Sequence, residues 1–284
     1  MWHSTRTTTA ATMTPDPNAN PTATATATAT AIPTRDPDLA AYALALGDDA
    51  LVLSQRLCGW VTRAPTIEED LALANIALDL LGHARTLLTR SGQLDGTGRS
   101  EDDLAYGRSV RAFRNCLLVE LPNGDFGQTV ARQLLWAHYS TLLHRALAET
   151  SDEVLAGLGA HAALESEYHR MHADQWTVRL GRGTAESRRR MQAGLDLVWP
   201  YAAELFETDD RVRRLDAAGS AVAPERLRSD WALGVAEVLD RARLTPPGPD
   251  RPATGGRSGR HTEALEPLLA EFRSVRLQYP GGNW

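Results

Sequence analysis

From residue 37 onward, apolar residues recur every three or four positions through most of the chain, the spacing of one face of an α-helix. The clearest run is 66–90. There Thr66 and Glu69 have the spacing of a capping box, Leu73, Ile76, Leu80, Leu81, Ala84, Leu87 and Leu88 make a wide apolar stripe, and Gly92 follows as a stop. The same periodicity predicts helices over 38–61, 125–149 and 152–180, the last ended by Gly181. A shorter helical stretch over 102–119 and the turn Leu121-Pro122-Asn123-Gly124 form a long connection between the second and third. Further on, the pattern predicts a helix over 185–206 kinked at Pro200, one opened by Pro224 and one capped by Thr262. Sustained two-residue alternation is confined to the first 34 residues, where Thr22 to Ala31 is a strict Thr/Ala repeat with no large apolar group to bury, so no strand is expected.

Four long helices with one long connection predict an all-α fold, a ferritin-like four-helix bundle core with additional C-terminal helices, over 37–284. Residues 1–36 read as a disordered Ala/Thr/Pro-rich extension.

A bundle of this type binds two irons when two helices each supply Glu-x-x-His and the other two each supply a lone Glu. Three residues along a helix return a side chain to nearly the same face, so the Glu and His reach one metal, and four carboxylates offset the buried cationic charge. Here the corresponding stretches are Leu80-Leu81-Gly82-His83 and Ser166-Glu167-Tyr168-His169, so Leu80 and Ser166 stand where glutamates would. The lone carboxylates are missing too: no Asp or Glu lies between Phe126 and Ala148, nor between Ala50 and Ile67. The site is therefore expected to be degenerate, with no metal and no catalytic residue in this chain. A different reading uses four-residue spacing, which also puts two side chains on one face: Asp79 with His83 and Glu165 with His169, with His161 and His172 extending the stripe. Against it stands the simpler reading of interior histidines hydrogen-bonded to acids.

Other candidates carry less. His138 and His144 are six apart and face differently, which argues against a shared metal. Gly255 to His261 has the look of a phosphate loop without a preceding strand or a following lysine, and reads as a flexible connection. Ser54, Ser140 and Ser166 lie inside helical stretches with no nucleophile elbow, so a hydrolase triad has no support. Trp60, Trp136, Trp176, Trp199 and Trp231 fall inside predicted helices and read as core or partner-interface anchors, and Cys58 and Cys116 as core thiols.

Composition narrows the classes further. The net charge of -6 disfavours a nucleic-acid binder, and all 30 Lys+Arg residues are arginine, which excludes a P-loop or Schiff-base lysine. With no run of roughly 18 uninterrupted apolar residues and no secretory h-region, the chain is expected to be cytoplasmic, away from membranes.

Several separated blocks then agree in order and spacing with one family. Leu46 to Leu57, Asp70 to Arg85, Leu118 to Phe126, Thr254 to Glu263 and the terminus from Pro280 to Trp284 resemble the C subunits of phenylacetyl-CoA epoxidase complexes. The likeness runs from about residue 40 to the end and departs at His83, where family members carry glutamine. It implies a structural, metal-free component of phenylacetate catabolism. Such a component scaffolds the catalytic A subunit, which holds the di-iron centre and epoxidises the ring of phenylacetyl-CoA with O2 and electrons from the reductase. A hetero-oligomer with the A subunit, the reductase and the remaining subunits follows from the resemblance. Asn123, Asp125, Phe126, Arg257, Arg260 and His261 are candidate contacts to a partner or to CoA. The competing expectations are an independent metal-binding bundle on Asp79, His83, Glu165 and His169, and a helical interaction module outside any oxygenase.

Overall fold

Asp36 opens the first helix, accepting the Leu39 N–H at 2.9 Å with Pro37 in the first turn, and α1 then runs from Pro37 to Cys58. The computed structural model describes residues 35–248 and 251–280, so nearly all of the Ala/Thr-rich extension and the terminus beyond Pro280 lie outside the described residues. α2 (Ile67–Leu94) lies along α1, and α5 (Phe126–Leu147) lies along α6 (Glu153–Gly181). These four make the bundle. Leu53, Leu57, Leu73, Ile76, Leu80, Leu88 and Leu134 are among its fully buried side chains.

Between α2 and α5 come two short helices, α3 (Glu101–Tyr106) and α4 (Leu117–Glu120), with a 3₁₀ turn at Val110–Ala112. After the bundle follow α7 (Ala185–Val198), a 3₁₀ segment Trp199–Phe206, α8 (Asp210–Ala217), a 3₁₀ turn Pro224–Leu227, α9 (Arg228–Ala242) and α10 (Leu265–Gln278). α7 and α9 pack on α5 and α6, and among the described residues there is no strand. The all-α expectation holds.

Several local readings are corrected. Thr66 is the N-cap of α2 but its side chain makes no capping bond, and the Glu69 side chain that would complete the box instead reaches His172 of α6 at 2.7 Å. α2 runs past Gly92 to Leu94, and Leu81 is 41% exposed rather than part of the buried stripe. The stretch 102–119 is broken, since carboxylates of α1 take its backbone N–H groups at Arg114 and Cys116. Pro200 falls in the first turn of a 3₁₀ segment, not inside a kinked α-helix, and Pro224 opens a 3₁₀ turn before α9. Thr262 lies ahead of α10, whose N-cap is Ala264. Trp60 falls in the turn after α1 and Cys58 is exposed, while Cys116 is buried as expected.

Among the described helices α2 alone is long and apolar enough by composition to cross a bilayer. Its core stripe faces α1, and Ile67, Leu71, Leu78 and Leu81 face outward.

Candidate functional site

The four positions expected to form a degenerate metal site lie on α2 and α6, which pack together. Leu80, His83, Ser166 and His169 are all buried, together with His144 of α5. The expected carboxylate pairs are crossed. His83 Nε2 lies 2.6 Å from Glu165 Oε2 and His169 Nε2 lies 2.9 Å from Asp79 Oδ2, so each imidazole takes the acid of the opposite helix rather than the one four residues away on its own. His172 with Glu69 at 2.7 Å repeats the arrangement further along, and His161 joins Glu165 from the exposed side at 3.1 Å. A row of long polar side chains therefore stitches α2 to α6.

Beneath this seam His144 packs edge-on against His83 with ring centres 5.0 Å apart, its Nδ1 2.6 Å from Ser166 Oγ. Burial, reinforced by His83 and His169, pushes the His144 imidazole down to about 3. Burial also lowers His83 against the opposing pull of Glu165, and its Nδ1 is buried without a hydrogen-bond partner. The hydrogen bond from His169 holds the Asp79 carboxyl below its ordinary range. His138 pairs with Asp174 at 2.8 Å, away from His144 as its spacing requires.

The donors present do not fit a carboxylate-bridged di-iron centre. Asp79 and Glu165 are each committed to an imidazole, Leu80 and Ser166 offer no carboxylate, and α5 contributes no acid. Among the described residues no three His, Cys, Asp or Glu side chains converge to hold an ion.

A second polar cluster lies on the far side of α1, and residue spacing alone does not reveal it. Asp48 and Asp49 of α1, Glu120 of α4 and Glu204 of the 3₁₀ segment are all fully buried. Asp48 accepts from the Arg108 guanidinium and from the Arg114 N–H at 2.8 Å. Asp49 accepts from Cys116 N–H and from Arg257 Nη2, both at 2.7 Å. Glu120 takes Asn115 Nδ2 at 2.8 Å, His261 Nδ1 at 2.7 Å and the Thr262 N–H at 2.6 Å. Glu204 takes the N–H groups of Leu117 at 2.6 Å and Gly255 at 2.8 Å. Burial raises the Asp49 carboxyl, opposed by Arg257. For His261 burial acts downward, but Glu120 wins and the imidazole is raised.

This cluster corrects the reading of 255–261 as a flexible connection. Gly256 packs so closely that a Cβ there would lie 2.2 Å from the Asn115 carbonyl oxygen, and Arg257 and His261 are anchored in the interior. Asn123 bridges the Arg56 carbonyl and the Arg132 guanidinium, both at 2.7 Å. Asp125 caps α5 through Gln128 N–H at 2.9 Å, and Phe126 sits edge-on between Trp60 and Trp176. Of the six candidate contacts, Arg260 is the exposed one.

The blocks 46–57, 118–126 and 254–263 thus meet in space. A family model described as phenylacetic acid catabolic protein matches residues 13–284. The C subunit of 1,2-phenylacetyl-CoA epoxidase from Escherichia coli (strain K12) is 44% identical over 246 residues, covering 87% of this chain and 99% of that protein. With the match spanning nearly the whole chain, the protein belongs to the phenylacetic acid catabolic protein family.

Proposed function

We propose that this chain is the structural, metal-free subunit of a phenylacetyl-CoA 1,2-epoxidase, a ring-epoxidising monooxygenase of aerobic phenylacetate degradation. In this reading it scaffolds a homologous catalytic subunit that carries the di-iron centre, and works with the reductase and the remaining subunits. The carrying observation is the 44% identity over 99% of the bacterial epoxidase's C subunit. Two features of the bundle support it. The ligand positions hold Leu80 and Ser166, and the acids that remain are tied to histidines. The outward faces of α2 and α6 are unusually apolar for a free surface: Leu71 and Leu78 are 62% and 64% exposed, Leu164 is 77% exposed, and Ile67, Tyr168 and Met171 extend the two stripes. Covering such stripes with a matching helical bundle removes apolar area from water and fixes the partner's helices.

Two measurements test this. Protein produced in iron-supplemented medium is expected to carry no stoichiometric iron. A complex assembled from the catalytic subunit, reductase and remaining subunits is expected to lose most phenylacetyl-CoA epoxidation without this chain and to regain it on addition. Full turnover in its absence overturns the scaffold. A second reading, an independent metal-binding bundle on Asp79, His83, Glu165 and His169, draws on the unpartnered Nδ1 of His83. Reproducible stoichiometric metal, lost in His83→Gln, would establish it in place of the first.

A further inference from the structure

Neither the two polar clusters nor the apolar faces of α2 and α6 account for the surface where the Trp199–Phe206 segment meets α9. A cavity of about 260 Å³ opens there. Three aromatic rings line it, with the centre of Trp231 5.9 Å from Trp199 and 5.1 Å from Phe206. Pro200 and Pro252 extend the apolar lining, and Arg228 is the one charged side chain on it among the described residues. Trp199 and Pro200 are half-buried, while Arg228, Ala232 and Pro252 are exposed, so the patch is open to a partner.

Three features say what fits this patch. The two indoles differ: Trp231 Nε1 donates to the Leu135 carbonyl at 2.9 Å, whereas among the described residues nothing accepts from Trp199 Nε1, which water reaches. An indole N–H can only donate, so the rim of the cavity offers a donor to an incoming acceptor. The chain also seats a proline of its own here. Ala253 N–H donates to the Pro200 carbonyl at 3.0 Å, and this bond holds Pro252 on the lining beside the rings. The Arg228 guanidinium stacks over Phe206, 5.2 Å from the ring centre, and reaches the Ala203 carbonyl at 3.5 Å. No carboxylate among the described residues pairs with it, so its charge is available to a partner.

We propose that this patch docks a short proline-rich segment of a partner protein, held in the extended polyproline conformation and carrying a carboxylate beside its prolines. A polyproline helix has no internal hydrogen bonds, so its carbonyl oxygens are free to accept from a tryptophan N–H. Its rings stack on aromatic faces, and because the helix is already formed before binding little entropy is lost. The cavity is smaller than the roughly 300–1,000 Å³ of small-molecule sites, which suits one or two rings of an extended chain rather than an enclosed compound. Arg228 then pairs with the carboxylate at the rim. The site uses none of the residues on the outward faces of α2 and α6, so it stands or falls independently of the scaffold reading.

The full chain, labelled with nitrogen-15, is titrated with two end-capped peptides, Ala-Pro-Pro-Asp-Pro-Pro-Ala and Ala-Ala-Ala-Asp-Ala-Ala-Ala. The proline peptide is expected to bind below millimolar concentration and the alanine peptide is not. Binding is expected to shift the Trp199 indole N–H resonance, assigned from Trp199→Phe, more than that of Trp231, whose N–H is already taken. Trp199→Ala is expected to weaken the proline peptide at least about tenfold, as loss of an aromatic anchor does. Ala232→Glu, at an exposed position of α9, crowds the cavity and sets a like charge against the peptide's carboxylate. It is expected to weaken binding as much while leaving the thermal midpoint unchanged, so the test does not depend on the tryptophan variant folding. Arg228→Gln is expected to weaken binding about threefold, the size of an exposed ion pair. The proposal is overturned if the proline peptide fails to bind at millimolar concentration, if the alanine peptide binds as tightly, or if Trp199→Ala and Ala232→Glu bind it as the parent does. Unchanged affinity in Arg228→Gln would overturn the carboxylate as part of the ligand.

Discussion

Between α2 and α6, Asp79 and Glu165 keep 31% and 24% of their side-chain surface in water and lean mainly on imidazoles. On the far side of α1, Asp48, Asp49, Glu120 and Glu204 keep none, and each collects two or three donors, several of them backbone N–H groups. The difference is one of consequence. Water competes for the acids of the seam, though not for the buried His83 and His169, so those acids gain less and lose less. A fully buried carboxylate must be saturated, and the groups that saturate it come from segments far apart in the chain. The cluster around Asp49 therefore fixes where the 108–124 connection and the 254–264 segment lie against α1. The α2/α6 seam only tunes how two helices meet.

The largest effect should follow from opening the buried cluster. Asp49→Ala leaves the Arg257 guanidinium without its carboxylate and the Cys116 N–H without an acceptor, and is expected to cost about 3–5 kcal/mol in urea unfolding. Replacing both partners, Asp49→Leu with Arg257→Met, should recover a large part of that loss. A cost below about 1 kcal/mol for the single variant would put the cluster on the same footing as the seam.

Gly256→Ala tests the same region through shape rather than charge. With a Cβ only 2.2 Å from the Asn115 carbonyl, the 3₁₀ turn at Gly256–Ser258 has to move, at an expected cost of about 1–3 kcal/mol read from the thermal midpoint. A neutral result would mean that the turn sits loosely after all.

α1 and α2 were legible because each buries a stripe wide enough to impose its period on the sequence, whereas α5 is buried nearly all round, and the caps Asp36, Asp125 and Asp152 are set by local chemistry. The 102–119 stretch was not legible, because its backbone is organised by Asp48 and Asp49, more than sixty residues earlier. The seam was half legible. The residues Asp79, His83, Glu165 and His169 could be picked out, but i,i+4 spacing favours pairs within a helix and carries no signal for the crossed pairing that the packing of α2 on α6 imposes. Glu69 misled for the same reason, since His172 outcompetes the local cap. The glycines around Arg257 suggested flexibility, whereas Gly256 is needed for close approach.

A smaller effect is expected from acid. The His144 imidazole is held neutral, falling from 6.5 to about 3, so the unfolded chain takes up a proton first as the pH drops. A depressed folded-state value means that its contribution is complete above 6.5 and is lost as the pH falls toward 3. His144→Asn, which can still reach Ser166, is expected to lower the slope of unfolding free energy against pH in that window by about one proton. An unchanged slope would assign acid sensitivity to other groups.

The smallest effect belongs to the seam. Glu165→Gln keeps a hydrogen-bonding group beside His83 and His161 and removes only the charge, from a side chain that is 24% exposed. Water reaches this acid but not its imidazole, and a hydrogen-bonding group is kept, so the expected loss is about 1 kcal/mol. Stability is therefore the less informative readout, and the His83 imidazole is the better one. Burial lowers it and Glu165 opposes the lowering, so removing the carboxylate should move its NMR titration to still lower pH while His144 stays neutral. A loss of several kcal/mol would place Glu165 in the same class as the acids around Asp49. An unmoved His83 titration would mean that the 2.6 Å contact contributes geometry without charge, and the distinction between the two clusters would then rest on burial alone.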